Sequence, residues 1–135
     1  MWCIRLPIRY PSPQNSSMTL DDIEVRLRAA ALGYPETTED HPWGETAFKV
    51  RGKVFLFLFR GVEGLSFSMK LPVSREFALV WDFASPTGYG LSKSGWVTCK
   101  IGHDTMVDPD LLVGWLDESW RAIAPKKLAA ALQPA

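Results

Sequence analysis

Six consecutive apolar residues, Val54 to Phe59, stand between Lys53 and Arg60 in the stretch "FKVRGKVFLFLFR". The run is far short of the roughly 20 residues a membrane-spanning helix needs. Its length, its aromatic content and its charged ends suit a β-strand whose faces are both at least partly covered. Gly52 sits just ahead of it. Thr46–Arg51 and Lys53–Arg60 are therefore read as a hairpin turning at "RG" or "GK", with Gly52 supplying positive φ. Either Phe55, Phe57 and Phe59 or Val54, Leu56 and Leu58 face the less buried side. Leu65–Leu71 gives the third strand. Leu65, Phe67, Met69 and Leu71 alternate there with Ser66, Ser68 and Lys70, the pattern of a half-buried antiparallel strand.

Helices flank this sheet. Thr19 with Asp22 three residues on is a capping-box start for a helix over Leu20–Leu32. Leu20, Ile23, Leu27 and Ala30/Ala31 form its apolar stripe, and Gly33 is expected in the left-handed C′ position. "PETTEDHPWG" reads as a polar loop. A second helix is expected at Arg75–Phe83, with Ser74 as N-cap and Phe77, Val80, Trp81 and Ala84 inward. A short strand is placed near Tyr89–Leu91. Trp96–Ile101 alternates again, and the last helix opens at Asp108 with Pro109 at N1 and stops before Pro125. The order α-β-β-β-α-(β)-β-α predicts an α+β two-layer sandwich, an antiparallel sheet with helices on one face.

One domain is expected in 135 residues. It is placed at 18–125, between an N-terminal extension of residues 1–17, read as flexible, and a tail at 126–135. Met18, directly before the first helix cap, is a candidate natural start, with Met1 the alternative. Neither signal peptide nor membrane span is visible. Cys3 and Cys99 lie too far apart in sequence for a metal or redox motif, and a reducing cytoplasm fits them.

Net charge is zero, but the charge is unevenly spread. Residues 19–45 carry seven acids and two bases, whereas residues 46–70 carry five bases and one acid. His41 and His103 are read as surface loop histidines, without metal-ligand spacing. "GYGLSKS" resembles a phosphate loop only superficially, since it lacks the second Gly before Lys and opens no helix. No GxSxG elbow or other catalytic constellation is present, so no enzymatic activity and no cofactor are expected.

The opening "MTLDDIEVRLRAAALGYPETTEDHPWGETAFKVRGKVFLFL" resembles that of the MmcQ/YjbR family. "LSFSMKL", "LSKSGWVTCKI" and "LLVGWLDESW" resemble its later strands and C-terminal helix, in order, from Met18 to about Ala124. Cys99-Lys100 departs from the family pattern, and the extension has no counterpart in it. The resemblance implies a frataxin-like or secretion-chaperone-like sandwich and DNA binding through hairpin wings.

Asked independently, the residues offer a basic sheet face. Lys49, Arg51, Lys53, Arg60, Lys70, Lys93, Trp96 and Lys100 are the candidate nucleic-acid contacts, with Ser66, Ser68 and Thr98 between them. The same lysines and serines also suit ordinary solvated strand positions. The alternative function is a small-molecule or protein-binding module, with Trp43, Tyr89 and Trp96 lining an aromatic pocket. DNA is the expected partner, with no membrane and no metal, and a monomer is the default.

Overall fold

The structure is a computed structural model and describes residues 19–88 and 90–132, the side chain of Trp43 excepted. The extension and Tyr89 lie outside the described residues. The elements run α1 (Leu20–Leu32), β1 (Thr37–Asp40), β2 (Thr46–Val50), β3 (Lys53–Arg60), β4 (Leu65–Lys70), α2 (Arg75–Ala78), β5 (Ala84–Pro86), β6 (Trp96–Ile101), α3 (Pro109–Ile123) and α4 (Lys126–Ala131). Six strands form one antiparallel sheet in the order β1-β2-β3-β4-β6-β5. The helices α1 and α3 pack on one face, so the expected α+β sandwich is the fold.

The first helix forms where its pattern placed it. Thr19 accepts the Asp22 N–H at 3.1 Å, and the Asp22 carboxylate accepts the Thr19 N–H at 3.0 Å. Leu20, Ile23, Leu27 and Ala31 are buried against the sheet. Gly33 differs from expectation, because it continues in the right-handed region at φ −77°. It bonds back to the Ala29 and Ala30 carbonyls, and the left-handed residue comes later, at Glu36. The β2–β3 turn has both central residues left-handed, Arg51 at φ 50° and Gly52 at φ 83°. Such a two-residue turn matches the natural twist of the strands it joins.

The core is the layer between sheet and helices. Phe48, Leu56, Leu58, Leu65, Phe67 and Met69 meet Leu112, Leu116 and Trp120 of α3 there. A β-bulge decides which phenylalanines join them. Phe48 pairs with Leu56 and Lys49 with Val54, so Phe55 is an additional residue on β3. Phe55 and Leu56 are consequently both buried, and Phe55 meets Tyr34 edge-on at 6.2 Å. Phe57 and Phe59 turn to the opposite, open face.

A bulge interrupts the ladder, and Ser119 repairs it. Its buried hydroxyl donates to the Phe55 carbonyl at 2.6 Å and accepts the Lys70 N–H at 2.9 Å. The residues beside it are equally structural. The Glu118 carboxylate accepts the N–H groups of Val73 and Ser74 and the Ser74 hydroxyl. Trp120 stacks on Tyr34 at 5.0 Å. The Tyr34 hydroxyl donates to Asp117 at 2.8 Å, and burial, reinforced by that bond, raises its pKa.

Several sequence expectations are corrected. The supposed loop at 35–44 contains β1, held by pairing with β2 and by ion pairs from Arg28 to Glu39 and Lys49 to Asp40. The second helix lasts only from Arg75 to Ala78. Beyond it the Phe83 carbonyl accepts the Lys100 N–H, and Ala84–Pro86 pairs with β6, so completing that strand overrides helix continuation. Phe77 and Val80, expected inward, are 59% and 79% exposed, while Trp81 stacks on Phe83 at 5.5 Å. Ser74 gives its hydroxyl to Glu118 and makes no helix cap. The short strand falls at Ala84–Pro86, ahead of Tyr89–Leu91, where residues 91–94 form a 3-10 turn. The C-terminal segment adds α4, whose Leu128 and Ala129 pack on the core.

Candidate functional site

The open sheet face is built by alternation. Where β4 buries Leu65, Phe67 and Met69, it must turn Ser66, Ser68 and Lys70 outward. Ser66 lies opposite Lys100, Ser68 opposite Thr98 and Lys70 opposite Trp96 on β6. On the other side of β4, Phe57 faces Ser68 and Phe59 faces Ser66. Hydroxyls run across the middle: Ser68 Oγ meets Thr98 Oγ1 at 2.8 Å, and Thr98 Oγ1 meets Thr87 Oγ1 at 2.9 Å. Phe59 is 46% exposed. Trp96 is only 6% exposed and lies against Phe57, ring centres 5.8 Å apart.

The eight candidate contacts divide sharply. Lys70, Trp96 and Lys100 share the open face. Lys49 shares it too, but its ammonium is 3.0 Å from the Asp40 carboxylate, and that bond holds the Asp40 carboxyl below its ordinary pKa. Arg51 sits in the hairpin turn and engages Glu36 with two nitrogens, at 2.6 and 2.9 Å. This pairing lowers the Glu36 pKa and raises that of Arg51. Arg60 points to the helix side, where it bonds Asp21 at 2.7 Å and Glu24 at 3.2 Å. Lys53 lies on the helix-side rim, beside the end of α3. Lys93 occupies the 3-10 turn that leads into Trp96. Among the described residues, Lys53, Lys70, Lys93 and Lys100 have no acidic partner within 4 Å.

The pocket alternative centred on Trp43, Tyr89 and Trp96 is not assembled by described side chains. Of the three, the Trp43 side chain and Tyr89 lie outside the described residues, and Trp96 is packed against Phe57. A cleft of about 570 Å³ lies at the other end of the open face, between Phe59, Ser66, Lys100 and the turn Gly61–Gly64. The sequence left two sets open for the outward face; the bulge divides the phenylalanines, with Phe55 inward and Phe57 and Phe59 outward, which no residue type signals.

The other singled-out residues take structural places. His41 Nε2 lies 3.1 Å from Glu39, and among the described residues no cluster of three or more His, Cys, Asp or Glu is arranged to hold a metal. Among the described residues no helix is long and apolar enough to cross a membrane. Cys99 is buried in the core, and burial pushes its thiol up to about 12. Because the thiolate is the reactive species, iodoacetamide is expected to leave Cys99 unmodified in the folded chain and to label it in denaturant. Peptide mass spectrometry reads this out; rapid labelling of the native Cys99 peptide would contradict it.

Comparison with known proteins agrees with this architecture. The YjbR family pattern matches residues 32–122. A solved structure similar to this one is that of Deinococcus radiodurans protein DR2400, described as a DUF419 domain. It superposes with a TM-score of 0.62 at 26% sequence identity, over 82% of this chain and 81% of that one. No curated protein matches. With the family pattern spanning β1 to α3 over the sheet and helix just described, the chain belongs to the YjbR family.

Proposed function

We propose that the chain binds single-stranded nucleic acid across the open sheet face. One observation carries this reading: Lys70 and Lys100, free of acidic partners, flank a row of hydroxyls and the exposed ring of Phe59 on one continuous surface. Lysines meet phosphates, serine and threonine hydroxyls donate to phosphate and sugar oxygens, and a ring face stacks a base of any identity. Along β6, Trp96 and Lys100 are four residues apart, and Lys70 lies opposite Trp96. The two lysines are thus separated along the strands by about 13 Å, a length of backbone rather than a point contact.

Duplex DNA fits the same surface poorly. A major groove admits a helix or a two-stranded ribbon, not the face of a six-stranded sheet. Hairpin wings would need Arg51 and Arg60, and both would first have to give up their carboxylates. The cleft at Phe59, Ser66 and Lys100 favours a second reading, a module for a small flat molecule carrying an anionic group.

Fluorescence anisotropy with labelled single- and double-stranded oligonucleotides tests the proposal. At low salt the single strand is expected to bind more tightly than the duplex. With two phosphates neutralised, log affinity should fall against log salt with a slope of about −1.4. Lys70→Glu with Lys100→Glu should weaken binding at least tenfold, while Arg51→Gln leaves it nearly unchanged. Absence of low-salt binding, or equal binding by the double reversal, would rule the reading out.

A further inference from the structure

We infer that the cleft between Arg75 and the Ser92–Lys93–Ser94 turn binds a dianionic phosphate group, a site distinct from the open face. The cleft is about 490 Å³ and is lined by Pro72, Arg75, Ser92, Lys93, Ser94 and Gly95. Its lining contains two cations, two hydroxyls and no carboxylate. A phosphate monoester carries close to two negative charges at neutral pH and three acceptor oxygens. Two bases meet the charge, and the serines supply neutral donors to the remaining lone pairs.

The donors are uncommitted. Among the described residues, the Lys93 ammonium and the Ser92 and Ser94 hydroxyls have no hydrogen-bond partner. Arg75 uses Nη1 on Glu76 at 2.6 Å, and its Nε is buried with no partner. The Arg75 guanidinium therefore carries donors beyond the one it gives to Glu76.

The cleft is also held in shape before any ligand arrives. The Leu71 N–H donates to the Gly95 carbonyl at 2.8 Å, which stitches its two sides together. Gly90 and Gly95 bracket the turn in left-handed conformations, at φ 79° and φ 91°. A Cβ at Gly95 would come within 3.3 Å of the Pro72 Cα, and its φ of 91° would strain any other residue. On the other side Glu118 clamps Val73 and Ser74, directly before Arg75. Preorganised donors lose little freedom on binding. The "GYGLSKS" segment thus reaches phosphate chemistry by a route unlike a helix-opening loop, with the second cation brought from Arg75.

Two sources share this chemistry, a small phosphorylated molecule and the terminal phosphate of an oligonucleotide. The test titrates the full chain with inorganic phosphate at constant ionic strength and follows backbone amide NMR shifts. Saturable shifts at Arg75 and residues 91–95 are expected, with an at least tenfold weaker response in Lys93→Ala and in Ser92→Ala with Ser94→Ala. Both variants change exposed or half-exposed side chains, so folding is expected to persist, and an unchanged spectrum elsewhere verifies it. A second arm compares oligonucleotides with and without a 5′-phosphate. Tightening by the phosphate assigns the site to strand ends, and no tightening alongside inorganic phosphate binding assigns it to a small molecule. Non-saturable shifts, shifts scattered over surface lysines, or equal saturation in the variants overturn the inference. Unphosphorylated strands that fail to bind while inorganic phosphate saturates would remove the open-face reading and leave this one standing.

Discussion

Gly64→Ala is expected to destabilise the fold by on the order of 4 kcal/mol, combining backbone strain with overpacking. A Cβ built at Gly64 would lie 2.1 Å from the Ile101 carbonyl oxygen and 3.1 Å from the Gly102 Cα. Both are backbone atoms, so no side-chain rotation relieves the overlap. The cause is topological. The β3–β4 turn closes with Gly61 N–H bonding the Gly64 carbonyl at 2.8 Å, and Leu65 then pairs at once with Ile101 of β6. The turn has no room to swing outward without breaking the end of the β4–β6 ladder. Urea denaturation monitored by tryptophan fluorescence measures the loss. A change under 1 kcal/mol would mean that the turn relaxes independently of β6.

Ser119→Ala should cost about 2–6 kcal/mol, since the Phe55 carbonyl and the Lys70 N–H each lose the hydroxyl they bond, at about 1–3 kcal/mol each. The Phe55 carbonyl and the Lys70 N–H are left by the bulge without each other, and the hydroxyl of Ser119 serves both. Removing one oxygen thereby creates an orphaned acceptor and an orphaned donor, together with a small void. Native-state hydrogen exchange gives a local signature: the Lys70 amide should lose protection well beyond the global change. If Lys70 remains fully protected in the variant, strand repairing has replaced the serine and the assigned role is wrong. Because the side chain of Lys70 belongs to the open face, loosening its backbone also connects this core position to the proposed site.

Strong local signals were readable in the sequence. The Thr19–Asp22 reciprocal cap, the Arg51–Gly52 turn, the alternation of β4 and the Asp108–Pro109 start of α3 each depend on neighbours a few residues away. Features set by distant partners were not readable. Thr37–Asp40 has no apolar alternation, and only the exposed edge of β2 makes it a strand. Arg75–Phe83 has helical periodicity, but β6 captures its end. The candidate site suffered most from this limit. Sequence spacing shows that Arg51 and Arg60 are basic, yet not that Glu36, Asp21 and Glu24 wait for them. The bulge at Phe55 likewise shifts the phase of β3 and selects Phe57 and Phe59 for the open face.

The two outermost strands have a consequence for how other molecules can approach. An uninterrupted run such as "VFLFLF" has the composition of a segment that recruits further copies of itself when its backbone is accessible. Here it is third from one border of the sheet, with three strands beyond it on the other side. Neither border invites extension. β5 is three residues long and ends in Pro86, which has no N–H to offer, and β1 presents Glu39 and Asp40. The sheet formed by the described residues is therefore a poor template for an incoming strand. A molecule approaching this sheet would meet side chains rather than backbone, on the open face and in the clefts at its two ends.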